Sequence, residues 1–425
     1  MAREMRNSGV RWIGDIPSNW KVLRTKNLCT ISSGTTPKSE VGSYWDGDIK
    51  WITPADFKTI DKWVSCGRRN ISEIGKAVSH LTAFPKDSIV FSKRAPIGQV
   101  SIMLDELCIN QGCFGCVVND RVSNVFLYYL LSSFTEQFEL LGSGTTFKEI
   151  SASNFANFKL PLPPLTEQKV IADFLDAKCG EIDGLLADLD AEVKTLTEYK
   201  KSIIAETVTH GIHQVATKHT GISWIGDIPS SWDLKRLQFC IKEVNVKNNP
   251  IQTDFVLSLT IKDGVLPYDE KGDIGNKAKE NHADYKLAFP DTIVLNSMNI
   301  LIGAVGISKY FGCVSPVYYV FKNHEDCDLR YINYVLSSVS FQKYLRNYAK
   351  GILEIRLRVS AFDILRQKIP VPPIDEQIEI ANYLDSKCAA IDQAITDKTQ
   401  QIETLKAYKS SLIYEYVTGK KQVAI

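Results

Sequence analysis

Leu160-Pro161-Leu162-Pro163-Pro164-Leu165-Thr166-Glu167-Gln168 returns 209 residues later as Ile369-Pro370-Val371-Pro372-Pro373-Ile374-Asp375-Glu376-Gln377. A second phrase, Trp12-Ile13-Gly14-Asp15-Ile16-Pro17-Ser18, returns as Trp224-Ile225-Gly226-Asp227-Ile228-Pro229-Ser230, 212 residues further on. Two phrases that recur at nearly the same distance indicate that the chain is one unit written twice. Each copy therefore consists of a globular body, a proline-rich hinge and one further element.

The element after each hinge is predicted to be one long helix. Thr166 and Asp375 are good N-cap residues at the end of the hinge. Glu167 and Glu376 then place negative charge in the first turn, where the helix dipole favours it. No proline follows in either copy for about 44 residues, which corresponds to a helix of roughly 66 Å.

Apolar residues recur along both predicted helices at alternating spacings of four and three, the pattern of a coiled-coil seam. Lysine occupies a few seam positions. Two ordinary core helices would be the simpler alternative, but helices this long rarely bury all round in a modest domain. Since both seams keep the same phase and a body separates them in sequence, we expect the helices to pair antiparallel, with the bodies at opposite ends of a rigid spacer. The apolar seam residues are Ile182, Leu186, Leu189, Val193 and Leu196 in the first copy and Ile391, Ile395, Ile402, Leu405 and Leu412 in the second.

Both bodies are predicted to have an α+β fold. Strand-like stretches such as 87–91 and 292–295 precede helical stretches at 125–141 and 330–348, and this order favours α+β over a doubly wound sheet. The expected domains are the first body over 1–160, the first spacer helix over 161–211, the second body over 212–369, and the second spacer helix with the C-terminal tail over 370–425.

Charge is distributed unevenly, although the whole chain carries a net charge of only +1. The bodies are basic, with 19 lysines and arginines against 15 acidic residues in the first and 20 against 16 in the second. The helical segments are acidic, with 5 against 10 in the first and 6 against 8 in the second. A basic body is suited to meet phosphate, whereas an acidic helix is better suited to other contacts.

Composition is typical of a folded protein with two to three domains. The 425 residues are 44% apolar and 23% charged, which rules out wholesale disorder. No apolar run approaches the ~18 residues of a membrane span, and the first residues lack the apolar core of a secretory signal. Ten cysteines without a dense spacing pattern indicate reduced thiols, so we expect a cytoplasmic protein.

Three motifs suggest chemistry, and each has a simpler explanation. Leu162-Pro163-Pro164-Leu165 resembles the tetrapeptide of amino-methyltransferases, but that tetrapeptide begins with Asn or Asp, and no glycine-rich cofactor loop is present. Cys108, Cys113 and Cys116 have the spacing of three iron–sulfur ligands, but their apolar surroundings favour buried thiols. Glu192-Val193-Lys194 has a nuclease-like form but falls on the predicted coiled coil. No nucleophile is placed with a base, so we expect a chain that is not an enzyme on its own and binds no metal.

Candidates for DNA contact are hydroxyl, amide and basic residues of the two bodies. Hydroxyls and cations can meet phosphates, and Asn or Gln amides can read adenine through two hydrogen bonds. Each residue taken alone is more simply a solvated surface residue, so the hypothesis depends on their collective distribution and on the architecture. The candidates are Ser33, Thr35, Lys38, Lys93, Arg94, Asn110, Gln111, Thr146 and Lys148 in the first body and Asn296, Asn299, Lys309, Arg356 and Arg358 in the second.

Two Trp-Ile-Gly-x-Ile-Pro openings, two variable bodies, two Pro-x-Pro-Pro-x-x-Glu-Gln hinges and two long helices together resemble the DNA-specificity subunit of type I restriction–modification enzymes. The resemblance covers essentially the whole chain. It implies that each body is a target-recognition domain that reads one tract of a split double-stranded DNA site, and that the helices fix the unread spacer. Because the two bodies differ, the site should be asymmetric.

The resemblance also implies partners. Two methylation subunits would dock on the helices and supply S-adenosylmethionine and adenine-N6 chemistry, so this chain itself would hold no cofactor. A restriction-translocation subunit, with ATP and Mg²⁺, would complete the nuclease of a phage-defence system. Two other classes stay open at this point: a self-sufficient DNA methyltransferase or nuclease, and a coiled-coil scaffold without a role in DNA binding.

The repeat makes one further structural prediction. Trp12 precedes the first body, whereas its copy Trp224 follows the first helix. By pseudo-twofold symmetry the N-terminal segment should therefore lie beside the end of the second helix, near Val417. The chain termini are then expected to be close together.

Overall fold

The computed structural model of the chain consists of two compact units. Unit 1 comprises residues 1–188 together with 401–425, and unit 2 comprises residues 189–400. Both long helices contribute to both units. The structure describes residues 3–58, 61–94, 96–144, 148–272, 281–351 and 357–423.

Unit 1 contains two main sheets with helices packed beside them. Its strands are β1 (Met5–Asn7), β2 (Asp15–Pro17), β3 (Lys21–Arg24), β4 (Cys29–Ser33), β5 (Trp45–Ile52), β6 (Trp63–Val64), β7 (Arg69–Ile71), β8 (Ala83–Phe84), β9 (Ile89–Ser92), β10 (Val100–Met103), β11 (Leu107–Ile109), β12 (Cys113–Val118) and β13 (Lys159–Leu162). Its helices are α1 (Glu73–Val78), α2 (Asn124–Ser132), α3 (Thr135–Leu141), α4 (Ala152–Asn157) and the first part of α5 (Leu165–His210).

The larger sheet of unit 1 has the strand order β4-β12-β9-β10-β6, and the smaller has the order β7-β5-β11-β8. Neighbouring strands are antiparallel except in the pairs β6 with β10 and β5 with β11. β1 pairs with β2, and β13 pairs with β3. The last pair joins the hinge segment to the start of the body.

Unit 2 repeats this plan with a different second layer. Its strands are β14 (Thr217–His219), β15 (Asp227–Pro229), β16 (Asp233–Arg236), β17 (Ile241–Glu243), β18 (Leu257–Thr260), β19 (Gly264–Pro267), β20 (Lys286–Ala288), β21 (Thr292–Asn296), β22 (Val305–Ser308), β23 (Gly312–Val314), β24 (Tyr318–Asn323) and β25 (Lys368–Val371). Its helices are the end of α5, then α6 (Leu329–Ser337), α7 (Val339–Leu345), α8 (Ala361–Leu365) and the start of α9 (Ile374–Val417).

The α+β prediction is confirmed in both units. The sheet β17-β24-β21-β22 corresponds to β4-β12-β9-β10, and the pair β16–β25 corresponds to β3–β13. The ladders β18–β19 and β20–β23 replace the smaller sheet of unit 1, where the two copies have diverged in sequence.

The single helices predicted at 125–141 and 330–348 are wrong in one respect, because each stretch is divided into two helices. In unit 2 the break falls at Ser338, whose backbone is extended (φ −67°, ψ 135°). Its side chain accepts a hydrogen bond from the Phe341 N–H and so caps α7. A serine at this point favours a new helix start over continuation.

The long helices share hydrophobic cores with the bodies. In unit 1, Leu175 of α5 and Val417 of α9 are fully buried in the same core as the larger sheet. In unit 2, Val208 of α5 and Leu384 of α9 are buried in the corresponding core. Burial of one such side chain stabilises the fold by about 1.5–3 kcal/mol, so each body is attached firmly to its helix pair.

Within unit 1 the helices run antiparallel, as predicted. The rings of Phe174 and Tyr416 lie 4.5 Å apart between centroids. Asp183, which follows Phe174 on α5, accepts a hydrogen bond from the ammonium of Lys409, which precedes Tyr416 on α9, at 2.6 Å. Residue numbers rise along one helix as they fall along the other, which defines the orientation.

Unit 2 shows the same orientation and explains the seam lysines. Lys200 contacts both carboxylate oxygens of Asp392 at 2.6 Å, and Lys398 is paired with Glu192. A lysine in the seam therefore reaches a carboxylate on the facing helix. Among the predicted seam residues the structure buries Ile182, Ile391, Ile402 and Leu412 and half-buries Leu186, Leu189, Val193, Leu196, Ile395 and Leu405.

The predicted helix starts are wrong by two positions, since N-caps at Thr166 and Asp375 would start the helices at 167 and 376. α5 and α9 begin directly after the last hinge proline, so Thr166 and Asp375 lie in the first turn and do not cap it. The reason is that the Pro164 carbonyl already accepts a helical hydrogen bond from the Gln168 N–H, at 3.0 Å. Proline needs no N–H at this position, and it enters the helix without loss.

A buried glutamine holds each hinge. The Gln168 amide donates to the carbonyls of Pro163 and Arg121, both at 3.0 Å, and its oxygen accepts from the Ser123 N–H at 2.8 Å. Gln377 makes the corresponding three bonds in unit 2. The glutamine of each repeated Glu-Gln phrase therefore connects the hinge and the start of the long helix to the loop before α2 in unit 1 and before α6 in unit 2.

The predicted position of the N-terminal segment is confirmed. The Tyr414 hydroxyl donates to the Trp12 carbonyl at 3.1 Å, and the Lys420 ammonium donates to the Ile13 carbonyl at 2.9 Å. Burial lowers the pKa of Lys420. All of these residues belong to unit 1, so the N-terminal segment lies beside the end of α9.

Candidate nucleic-acid interface

Three loops of unit 1 meet at one end of its larger sheet. The Thr35 N–H donates to the Ile109 carbonyl at 3.2 Å, which joins the β4–β5 loop to the β11–β12 turn. The Lys93 N–H donates to the Gly112 carbonyl at 2.9 Å, which joins the β9–β10 loop to the same turn. Ser33 is the last residue of β4, and the loops themselves carry Thr35, Lys38, Lys93, Arg94, Asn110 and Gln111.

The β4–β5 loop is fixed by close packing. A Cβ atom at Gly34 would lie 1.8 Å from the Ile109 carbonyl oxygen, so only glycine fits where the loop crosses β11. The indole N–H groups of Trp45 and Trp51 donate to loop carbonyls at 3.2 and 3.4 Å. The Thr35 hydroxyl is also used inside the body. The loop presents its polar groups from a rigid base.

A glutamate balances part of the basic character of this face. Glu149 contacts Lys93 at 2.9 Å and Arg94 at 3.6 Å. The Lys93 side chain is only 14% exposed and its ammonium lies 5.1 Å from the Phe114 ring centroid. Lys93 therefore helps to hold the loops together, whereas the neighbouring Lys148 is exposed.

The amide candidates of unit 1 already use their oxygen atoms. The half-buried Asn110 accepts from the Gly112 N–H at 2.8 Å and so forms the turn. The exposed Gln111 accepts from the Thr36 hydroxyl. A bidentate contact to adenine needs both the oxygen and the nitrogen of the amide. Gln111 can exchange its surface bond for such a contact, whereas Asn110 would have to open the turn.

Unit 2 places a comparable group beside the β21–β22 loop. The Asn299 N–H donates to the Asn296 carbonyl at 3.0 Å, and the Val359 N–H donates to the Ser297 carbonyl at 3.2 Å. The second bond brings the exposed Arg358 to this loop. Asn296 is buried and its side-chain oxygen accepts from a turn N–H, so Asn299 and Arg358 are the exposed members of the group.

A groove of about 510 Å³ opens beside Asn296 and Asn299. Its walls include Thr260 and Lys262 at the β18–β19 turn and Tyr318 of β24. Burial raises the pKa of Tyr318, which keeps the phenol protonated. A groove edged by amide, hydroxyl and ammonium groups suits phosphates or base edges.

Some sequence candidates are not part of these groups. Lys309 follows β22 at the far end of the sheet, since its neighbour Ser308 pairs with Thr292, the first residue of β21. The exposed Asn299 lies beyond Asn296, the last residue of β21. The four steps along β21 from Thr292 to Asn296 already span roughly 13 Å. Thr146 and Arg356 lie outside the described residues.

The motifs that suggested chemistry have structural roles. Cys113 and Cys116 are buried on β12, where burial raises the pKa of Cys113, and a hydrogen bond with Cys29 raises that of Cys116. Glu192 of the nuclease-like triplet is paired with Lys398. Over the part of the chain that the structure describes, no group of three His, Cys, Asp or Glu side chains could hold a metal. Within the same ranges, no helix is long and apolar enough to cross a bilayer.

Solved structures share this fold. The chain is similar, with a TM-score of 0.71 and 15% identity, to a chain from a structure that describes complex assembly and conformational transition of the type I R-M system, and the match covers 96% of this chain and 99% of that one. It is also similar to the crystal structure of the HsdS subunit from Thermoanaerobacter tengcongensis, with a TM-score of 0.51, 17% identity and coverage of 96% and 98%.

Sequence comparison leads to the family. The model of the type I restriction modification DNA specificity domain matches residues 17–194 and 238–404, and the chain belongs to this family. The MjaIX specificity subunit of Methanocaldococcus jannaschii is 27% identical over 97% of this chain and 95% of the relative. The EcoBI specificity subunit of Escherichia coli is 21% identical over 98% and 91%. The chain is thus a type I specificity subunit with two DNA-recognition domains, and its relatives are named for specificity and not for a catalytic activity.

Two exposed tyrosines of the helices were not among the sequence candidates. Tyr199 and Tyr408 occupy the same position in the two copies, and 52% and 53% of their surface is exposed. The signal was the repeated Tyr-Lys pair, in which the lysine lies in the seam and the tyrosine does not.

Proposed function

We propose that the chain reads a split, asymmetric double-stranded DNA site, one tract with each body, and has no catalytic activity of its own. The observation that carries this proposal is one repeated scaffold with two different loop groups. Unit 1 presents Gln111 and Lys148, and unit 2 presents Asn299 and Arg358. Two unlike surfaces on related scaffolds read two unlike half-sites, whereas a palindrome needs two equal ones.

The two kinds of exposed group divide the work of recognition. Lys38, Lys148 and Arg358 contact phosphates and position each body on the duplex. Their cations attract the phosphate backbone, which is the same at every base pair and therefore does not specify sequence. Gln111 and Asn299 contact base edges, because an amide can both donate and accept in the major groove. The unit 2 groove, with Lys262 and Tyr318 in its walls, belongs to the second reading surface.

Single substitutions test this division. Gln111→Ala should change the preference at one tract only, and Asn299→Ala should change it at the other tract only. Lys309→Ala is the matched control, since this exposed residue lies at the far end of the sheet. The measurement is selection of bound DNA by the chain assembled with its methylation subunits. A change in both tracts, or in neither, would contradict the proposal.

We place the docking of two methylation subunits, which bring S-adenosylmethionine, on the long helices. Two copies of one partner need two similar binding surfaces. Tyr199 and Tyr408, at the same position of the two repeats, provide a similar exposed side chain on each long helix. Exposed tyrosines are frequent anchors of protein interfaces. The acidic balance of the helices fits a protein partner better than a phosphate backbone. A restriction-translocation subunit with ATP and Mg²⁺ then completes the nuclease.

Native mass spectrometry tests this docking. Tyr199→Ala or Tyr408→Ala alone should lower the number of bound methylation subunits from about two to about one, and the double variant should bind none. Leu185→Ala is the control, because Leu185 is equally exposed but its counterpart is Ala394. Two bound subunits on the double variant would refute the docking site and leave the DNA-reading proposal intact.

A third result would decide between function classes. A self-sufficient methyltransferase would modify DNA without any partner. A coiled-coil scaffold would bind the methylation subunit and select no DNA sequence. Either outcome would overturn the proposed function.

A further inference from the structure

A tyrosine and an aspartate connect the body of unit 1 to its long helix. The Tyr129 hydroxyl, on α2, donates to the Asp176 carboxylate, on α5, at 2.6 Å. The Lys62 ammonium pairs with the same carboxylate. It also lies 5.0–5.7 Å from the ring centroids of Tyr128, Tyr129 and Trp63. Burial, reinforced by the bond to Asp176, raises the pKa of Tyr129, so the phenol remains a donor.

Unit 2 contains the same connection. The Tyr334 hydroxyl, on α6, donates to Asp385, on α9, at 2.7 Å. Arg330, one turn before Tyr334, donates to the other oxygen of Asp385 at 2.8 Å and to Asn382 at 2.9 Å. A tyrosine, a carboxylate and a cation thus join body to helix in each unit.

The two cations come from different places in the fold. Asp176 and Asp385 are equivalent in the repeat, as are Tyr129 and Tyr334, whereas Lys62 precedes β6 and Arg330 lies on α6. Valine occupies the unit 1 position that corresponds to Arg330. Two unrelated segments thus deliver a positive charge to equivalent carboxylates, one in each unit.

This connection adds a second height of hydrogen bonding between each body and its long helix, beside the hydrophobic core that the two share. The first is the hinge glutamine, Gln168 in unit 1, and Asp176 lies eight residues further along α5, roughly 12 Å away. Apolar contacts of the shared core have no preferred direction, whereas hydrogen bonds at two heights are directional and hold the angle of the body on its helix.

We propose that Tyr129 with Asp176 and Tyr334 with Asp385 are positioning pairs that hold each reading surface at a fixed angle to the helices and thereby select the DNA spacer length. The inference rests on the proposed function. Successive base pairs of B-DNA differ by about 3.4 Å and 35°, so a body with a loosened angle accepts neighbouring spacers. The carboxylates are partly exposed, 42% for Asp176 and 45% for Asp385, and water competes for them.

Tyr334→Phe tests the proposal, because it removes the hydroxyl and keeps the ring. Tyr383→Phe is the matched control: it removes a hydroxyl two residues before Asp385 and reproduces Phe174, the residue of the first copy. The measurement is the methylation rate of the assembled complex on DNA with the native spacer and with spacers one base pair longer or shorter. We expect discrimination between spacers to fall about tenfold in Tyr334→Phe and to stay unchanged in Tyr383→Phe.

A merely structural role would lower methylation on all spacers in the same ratio and would overturn the proposal. Tyr129→Phe should repeat the result from the other half of the chain. Hydrogen exchange of the chain alone separates this inference from the proposed function, since it needs no DNA. Faster exchange confined to α6 and the start of α9 in Tyr334→Phe supports the role of the Tyr334–Asp385 pair in holding the body, even if the wild type methylates no split site. Unchanged exchange there overturns it.

Discussion

Replacement of Gln168 by leucine removes the side chain that holds the first hinge. Leucine has a similar volume, so the change leaves no large cavity, and its cost comes from lost hydrogen bonds. Gln168 is fully buried and bonds to Pro163, Arg121 and Ser123. Arg121 is exposed and its carbonyl regains water, which leaves two polar groups without a partner. At about 1–3 kcal/mol for each, we expect unit 1 to lose roughly 2–6 kcal/mol.

Differential scanning calorimetry at neutral pH measures this loss. For a unit of about 210 residues, a loss of that size lowers the Tm by roughly 5–15 °C. Gln377→Leu should have the same effect on unit 2, since Gln377 repeats the three bonds. Gln393→Leu is the control, because Gln393 is exposed and bonds only to Asp397 one turn away. A Gln168→Leu loss no larger than that of the control would refute the reasoning.

Three further predictions concern the seam, an acid-sensitive turn and the chain termini. Lys409→Glu faces Asp183 with a like charge and should cost about 1 kcal/mol, and addition of Asp183→Lys should restore most of it in urea unfolding; no recovery would contradict the pairing. Asp56 accepts four hydrogen bonds from Thr53 and Arg68, which outweigh burial and lower its pKa, so its stabilisation is present above about pH 4 and is lost as pH falls through the lowered value. Asp56→Asn should therefore cost about 1–3 kcal/mol at pH 7 and clearly less at pH 3, and an equal cost at both pH values would be inconsistent with this sign. A circular permutant opened near residue 215, with residues 1 and 425 joined, should fold and keep its DNA specificity; a permutant that folds but no longer binds the methylation subunits would disprove the predicted equivalence of the segments around Trp12 and Trp224.

The helices, the hinge and the position of the N-terminal segment could be predicted because they depend on local patterns and on the repeat. The hinge prolines marked where each body ends, and the heptad spacing of apolar residues identified the face along which each long helix pairs. The position of the N-terminal segment followed from the placement of Trp12 and Trp224 in the two copies. The helix starts were missed by two residues because the Pro164 carbonyl accepts the first helical bond.

The contacts of the loops could not be predicted, because they join segments that are distant in sequence. Lys93 looked like a phosphate ligand until the structure paired it with Glu149. Asn110 looked like a base reader, but its oxygen forms a turn. Lys62 and Asp176 lie far apart in sequence, and no periodic pattern connects them.

Single-molecule sequencing of adenine methylation tests the central claim most directly. DNA would be taken from cells that express this chain with its methylation subunit, and from cells that express either protein alone. We expect one split, asymmetric motif, which appears only when both proteins are present. Methylation by this chain alone would reveal a catalytic centre, and absence of any motif with both proteins would remove the DNA-reading role; either result would contradict the account.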